Sequence, residues 1–441
     1  MRIATKSATI HATVAALAVC GVWVLAIDAQ EPAVTAPAAD GALGAAPLTS
    51  LRRTRDAFID VRDFSAALTA AQAIVDAQRE QREPEYPADL AALGLIQGEL
   101  RATDDALAHL AEAIEIVESA EGANSPTLID YYRGLGRTYI RGGYYQEAIL
   151  SLEQAQHISQ RNLGLFNVEQ APLLDDITTA YLGLGNTIDA RKAQVERLDN
   201  AIRRFGPGDP RVIPYRYTLA KYYQQSRLPD SAREQYQEVL NAEETRLGAS
   251  DPGLLAPLRE LVALDLLVSQ GVDPARRDRL AALLAENRDA HPIERGLSLA
   301  LLGDWATVTG DAAAARDYYA DAWSTLQTTP EFDVAAYFAK PAMLDFVPPL
   351  GPVDRNERSR PYTWAEIALQ FDVSAEGKPG SVRVVTRDPQ MTALQSRYSR
   401  RMRETHFRPR MVDGAPVATT NVRSTHYVRR YVDKDEEQAA E

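Results

Sequence analysis

An alanine recurs at Ala67, Ala106, Ala148, Ala190, Ala232, Ala275 and Ala315, at steps of 39, 42, 42, 42, 43 and 40 residues. Self-similarity at a period of about 40 residues means that one small structural unit is stacked on copies of itself. Thirteen residues before these alanines stand Leu93, Leu135, Ile177, Leu219, Val262 and Leu302. Nine before stand large side chains such as Phe58, Tyr139, Tyr181, Tyr223 and Leu266, and seven after stand Ala113, Ala155, Val239, Ala282 and Ala322. Those spacings put the apolar positions on one face of each of two successive helices. Turns such as Arg141-Gly142-Gly143 and Thr309-Gly310-Asp311 separate the two. A single hairpin cannot bury its own apolar face. The pattern therefore predicts a solenoid of seven hairpins over residues 51–326, the first and sixth being the least regular.

Leu135, Gly136 and Tyr139 with Ala148, Leu152 and Ala155 resemble the consensus of the tetratricopeptide repeat (TPR) family. So do Leu302, Gly303, Gly310, Asp311, Ala315, Tyr319 and Ala322. The 42-residue step, with Ser125-Pro126, Asp209-Pro210 and Asp251-Pro252 between hairpins, looks like the longer subtype found in kinesin light chains. The resemblance implies a scaffold that binds a protein or peptide along the first helix of each hairpin. The positions it assigns to ligand contact include Arg133, Arg137, Tyr217 and Lys221. Two arginines one turn apart could grip a carboxylate. The same side chains also read as ordinary exposed helix charges.

Charge is unevenly spread. Of the net −13, residues 351–431 carry 15 Lys/Arg and 8 Asp/Glu (+7), and the tail 432–441 carries one Lys and five acids (−4). The remainder therefore holds −16, so an acidic repeat region joins a basic C-terminal region. At the start, Arg2 and Lys6 precede an apolar run over 12–27, and Asp28-Ala29-Gln30 follows. Residues 1–29 thus have the layout of a secretory signal. The rival reading is an uncleaved inner-membrane anchor through residues 8–27, since about 20 apolar residues span a bilayer. Either reading places the body in the periplasm, free or on a single-pass anchor. Cys20, the one cysteine, lies inside this segment. Disulfides and cysteine-bound zinc are then not expected in the mature body. Residues 30–50 are Ala/Pro-rich and read as a linker.

Beyond residue 326 the helical period stops. Pro330, Pro341, Pro348, Pro349, Pro352 and Pro361 mark 327–361 as a linker or extended strap rather than a helix. Then the period becomes two. Ile367, Leu369, Phe371 and Val373 alternate as in a half-buried strand, with a turn at 376–380 and a second strand over 381–387. Residues 391–405 read as an amphipathic helix through Leu394, Tyr398 and Met402, and 417–431 as a third strand. The fold class is mostly α, ending in a small α+β domain of β-β-α-β order over 362–431. Phe371, Val373, Gly377, Val382, Val384, Val385, Phe407, Pro409, Asp413, Gly414, Pro416 and Val417 follow one another in the order of a known motif. They resemble the C-terminal domain of TonB-type energy transducers. That resemblance implies a domain that pairs an edge strand with a peptide of an outer-membrane receptor. The Ser7 and His11 pair also looks like that family's membrane anchor. Such transducers carry a long proline-rich spacer where this chain has helical repeats. The shared physics is strand addition at a sheet edge.

The sequence offers little for catalysis. His109, His157, His291, His406 and His426 form no i, i+4 pair, and no H-E-x-x-H, phosphate-binding loop or G-x-S-x-G is present. Gly134, Gly136, Gly183 and Gly185 read as packing or turn glycines, and the acids of the repeat helices as solvated faces. Arg397, Arg400, Arg401 and Arg403 lack interleaved aromatics, so they read as a solvated helix face or a site for an acidic envelope component, with nucleic acid not expected. The expectation is an exported, non-enzymatic interaction scaffold of a Gram-negative envelope, with no cofactor and no metal. Its alternatives are an anchored TonB-like transducer working with an outer-membrane receptor, and an accessory subunit of an envelope enzyme or export complex.

Overall fold

The computed structural model describes residues 47–267, 274–349, 362–386 and 388–431, which fall into two compact units, 47–242 and 243–431. The signal or anchor segment 1–29, most of the linker 30–50 and the acidic tail 432–441 lie outside the described residues.

The first unit is a run of helical hairpins. α1 (Leu48–Asp60) packs with α2 (Phe64–Ala77), α3 (Tyr86–Glu99) with α4 (Thr103–Glu121), α5 (Leu128–Gly142) with α6 (Tyr145–Leu163), and α7 (Ala171–Gly183) with α8 (Thr187–Phe205). α9 (Ile213–Gln225) meets α10 (Pro229–Leu247) through Tyr217 and Tyr236, and the last residues of α10 belong to the second unit. The periodic alanines of α2, α4, α6, α8 and α10 are all 0% exposed. Each is the fourth residue of a second helix, where the two helices approach most closely. Gly136 shows how close: a Cβ there would lie 2.6 Å from Leu152 Cγ. The starts of α2 and α8 are fixed by side-chain caps, Asp63 accepting from the Ala66 amide and Asn186 from that of Asp189.

The second unit continues with α11 (Leu255–Leu267), α12 (Pro274–Glu286), α13 (Pro292–Thr309) and α14 (Ala312–Leu326). The sixth alanine breaks the pattern: Ala275 and Ala282 are exposed. α12 has 13 residues where α4, α6, α8 and α10 have 19, and it buries Leu280, Leu283 and Leu284 instead. The packed face of α12 is thus set by these leucines, and the matching alanines do not mark it.

The segment expected to be a strap without helix forms one helical turn, α15 (Val334–Tyr337), and a short strand, β1 (Ala342–Met343). Phe338, 0% exposed, packs against Tyr319 and Trp323 of α14 and makes that turn worth forming. Then come β2 (Tyr362–Val373), β3 (Pro379–Val384), α16 (Thr392–Arg403), β4 (Phe407–Arg408), β5 (Arg410–Val412), β6 (Ala415–Val417) and β7 (Thr419–Tyr431). β3-β2-β7 is an antiparallel sheet, and α16 sets Leu394, Tyr398 and Met402 on its Ile367, Leu369, Phe371 and Val373. The last strand begins two residues later than the alternation suggested, because Pro416 and Val417 belong to the β5–β6 hairpin. Asp413 (φ 50°) and Gly414 (φ 79°) are both left-handed, which suits the two-residue turn of that hairpin.

Candidate functional site

The four groove residues do not converge. Arg133 and Arg137 lie on α5, Tyr217 and Lys221 on α9, with α7 between them in sequence. The arginines do grip carboxylates, but the chain's own. Arg133 Nε donates to Asp176 Oδ2 of α7 at 2.7 Å. Arg137 Nη2 donates to Glu99 Oε1 of α3 at 3.2 Å, and Arg141 binds the same carboxylate. These pairs tie the first helices of three consecutive hairpins together. Tyr217 stands edge-on to Tyr236 at 5.7 Å, and Lys221 is exposed.

The C-terminal motif residues are mostly folding determinants. Phe371, Val373 and Phe407 are buried, with the Phe371 and Phe407 rings 5.2 Å apart. Gly377 has φ +76°, its carbonyl accepts from the Phe407 amide at 2.9 Å, and a Cβ on it would sit 1.9 Å from the Phe407 carbonyl oxygen. Only glycine fits. Pro409 is buried beside β4, Pro416 and Val417 are half-buried in β6, and Gly414 lies against Trp323 of α14.

Among the described residues β7 is one of the two outer strands of its sheet, paired with β2 on one side. Ala368 of β2 turns its backbone toward β3: its carbonyl accepts from the Val385 amide at 2.8 Å and its amide donates to Thr386 Oγ1 at 2.9 Å. Its partner on β7, Thr425, is therefore in a pair that exchanges no bonds, and the Thr425 amide and carbonyl point outward. The same holds at alternate residues along the strand.

The sequence reading missed how the module is held. Arg408 of β4 donates from Nε and Nη2 to the Asp304 carboxylate of α13 at 2.8 and 2.5 Å. Tyr319 Oη donates to Asp304 Oδ1 at 2.9 Å and lies 3.0 Å from Thr307 Oγ1. Burial, then the neighbouring carboxylate, pushes the Tyr319 phenol well above its ordinary value. Asp304 also corrects the view of these acids as solvated. So do Asp89, 2% exposed and held by Arg52, Arg55 and Gln78, and Asp265, 2% exposed beside Arg276. A signal existed for Asp304: beyond Glu294 and Arg295 of its first turn α13 is apolar nearly all round, and an acid in such a stretch is buried and needs a partner.

The two C-terminal histidines are structural. His406 binds Asp345 twice, through its amide at 2.7 Å and Nδ1 at 2.8 Å. His426 stacks on Phe346 at 4.9 Å, and burial pushes it down to about 4. Among the described residues no group of three or more His, Cys, Asp or Glu could hold a metal, and no helix is long and apolar enough to cross a membrane.

The family model for the tetratricopeptide repeat matches residues 88–161, from α3 into α6. A solved structure described as nearly identical TPR-like repeats of a putative kinesin light chain from Podosopora anserina is 20% identical, over 47% of this chain and 98% of its own, with a TM-score of 0.37. BtubC (BKLC) from P. vanneervenii is 20% identical over 55% of this chain and 94% of its own, TM-score 0.37. A tetratricopeptide repeat protein from Parabacteroides merdae is 16% identical over 63% and 93%, TM-score 0.35. No curated protein matches the chain. Residues 88–161 are thus similar to tetratricopeptide repeats, within a mostly helical run of hairpins that is followed by a small β-rich C-terminal region. Repeats of this class indicate a protein–protein interaction scaffold.

Proposed function

We propose that the chain is an exported, non-enzymatic scaffold of a Gram-negative envelope. Its repeats hold a protein or peptide partner, and its C-terminal module, similar to that of TonB-type transducers, adds a second partner by strand pairing. The observation that carries the strand-pairing half is the edge of β7, which turns the amide and carbonyl of Thr425 away from β2. An outer strand is a template for another strand. Export rests on residues 1–29 and on the resemblance of 362–431 to a periplasmic domain.

Thr425→Pro tests the strand-pairing half. It removes an outward amide and leaves the ladder to β2 intact, the placement that an edge strand tolerates. In a crosslinking pull-down of the exported protein, the partner held by the sheet edge should disappear from the variant. Recovery of the same partners from both proteins would sink strand pairing. Mass spectrometry of the mature N-terminus separates the versions: Gln30 as first residue removes the anchored transducer, and an intact residue 1–29 segment removes the free periplasmic scaffold.

A further inference from the structure

The repeats serve as controls for one another. After α4, α6, α8 and α10 the chain turns through Gly122, Gly164, Gly206 and Gly248, and two residues follow. Three times these are small or polar: Ala123-Asn124, Pro207-Gly208 and Ala249-Ser250. After α6 they are Leu165 and Phe166, 56% and 43% exposed. The turn does not require them, and apart from a contact of the Phe166 ring with Arg203 they hold apolar surface in water. A second departure lies on α8. Ten residues after the periodic alanine, α4, α6 and α10 carry Ile116, Ile158 and Ala242, and α8 carries Asn200. Asn200 is 2% exposed, and its Nδ2 has no hydrogen-bond partner. Stacking is satisfied by an apolar side chain there, so the asparagine is retained against the interest of stability.

Both departures meet in one place. Leu165, Phe166, Val195 and Asn200 line an open cavity of about 360 Å³ that runs along α8. Arg191 and Lys192 stand at one end, and Arg203 at the other, its guanidinium 4.3 Å from the centre of the Phe166 ring. Twelve residues of helix separate Arg191 from Arg203, about 18 Å, which is the reach of about five extended residues. Glu196 and Asp199 lie along the same face, Glu196 accepting from Gln156 at 2.9 Å, and Lys192 is paired with Asp189. The cations therefore sit at the ends and the apolar surface in the middle.

We infer that this cavity binds a short extended peptide segment of a partner protein, with an apolar side chain at its centre and carboxylates at both ends. The apolar side chain rests on Leu165, Phe166 and Val195. A backbone carbonyl accepts from Asn200 Nδ2, and the carboxylates meet Arg191 with Lys192 and Arg203. The site uses the second helix of a hairpin, not the first helices to which the groove residues belong. It rests on the reading of the repeats as a protein-binding scaffold.

The test uses the full chain and fluorescein-labelled peptides of the form Glu-Ser-X-Ser-Glu, with X as Leu, Ile or Phe, against an X = Ala peptide and Lys-flanked controls. The variants are Asn200→Ile and the double Leu165→Ala, Phe166→Asn, which install side chains that the chain already accommodates in sister repeats. Fluorescence anisotropy should show an apolar-centred acidic peptide binding the wild type at least about tenfold more tightly than either variant, and more tightly than the controls. Asn200→Ile should melt at the same or a higher temperature. No preference for acidic apolar-centred peptides, or equal binding by Asn200→Ile, overturns the site. A lower melting temperature for Asn200→Ile overturns it too, since the amide would then be serving the fold. If crosslinked partners of the repeats survive both variants, the scaffold reading stands and this site falls.

Discussion

Replacing Arg408 by methionine isolates the contact that fixes the C-terminal module to the last hairpin. The side chains of Arg408 and Asp304 are 10% and 4% exposed, and two hydrogen bonds join them. Removing the guanidinium leaves a buried carboxylate with one remaining donor, Tyr319 Oη at 2.9 Å. Breaking a buried pair on one side typically destabilises by about 3–5 kcal/mol, because the stranded charge has lost its water and its partner. Arg408 also stacks 4.7 Å from the centre of the Tyr337 ring, an interaction that methionine replaces only in part. The double variant Asp304→Leu, Arg408→Met removes both charges and keeps the volume. Tyr319 retains Thr307 as a partner, so the double variant should return to within about 1 kcal/mol of the wild type. Urea unfolding followed by tryptophan fluorescence reads this directly, since Trp305 and Trp323 lie on α13 and α14. A single-variant loss below about 1 kcal/mol, or a double variant as unstable as the sum of the singles, would refute the argument.

Two further outcomes follow from the same module. Gly377→Ala combines φ +76° with a Cβ 1.9 Å from a backbone oxygen, and should cost about 3 kcal/mol or more; a loss under about 1 kcal/mol in urea melts would show that the turn can move. His426 titrates at about 4 in the fold, below its ordinary 6.5, so between those values the unfolded chain binds the proton more readily. Its share of stability is therefore complete above pH 6.5 and falls as pH drops toward 4, by about 2–3 kcal/mol allowing for partial solvent screening. His426→Phe should flatten that slope between pH 7 and 4.5, and an unchanged slope would exclude His426 as its source.

Periodicity carried the helices and strands because both are set by which face is buried, and burial writes itself into spacing. It was a weaker guide to detail. Ala275 matched the period by composition alone, in a chain where alanine is common, while α12 buried a different face. Gly377 and the Asp413-Gly414 turn were legible because their backbone angles exclude most side chains. The partners of Arg133 and Arg137 were not, since Asp176 and Glu99 lie 43 and 38 residues away and nothing local marks them. The burial of Asp89 and Asp265 is hidden for the same reason, and only the apolar run of α13 marks that of Asp304. An acid on a helix looks solvated until the arginine that covers it is known.

A repeat protein offers a second kind of information, the difference between sister positions. A residue that stacking needs recurs, as the alanines of α2 to α10 do. A residue that fails to recur is either tolerated or retained for another purpose, and physics can separate the two. A tolerated change leaves its surroundings satisfied. Asn200 does not, since its amide is buried without a partner, and Leu165 and Phe166 do not, since they hold apolar surface in water. Both are small losses to the fold, and both fall on one cavity. Two independent departures that each weaken the fold would seldom coincide there by tolerance alone. A bound peptide would satisfy both, covering the two apolar side chains and accepting from the amide.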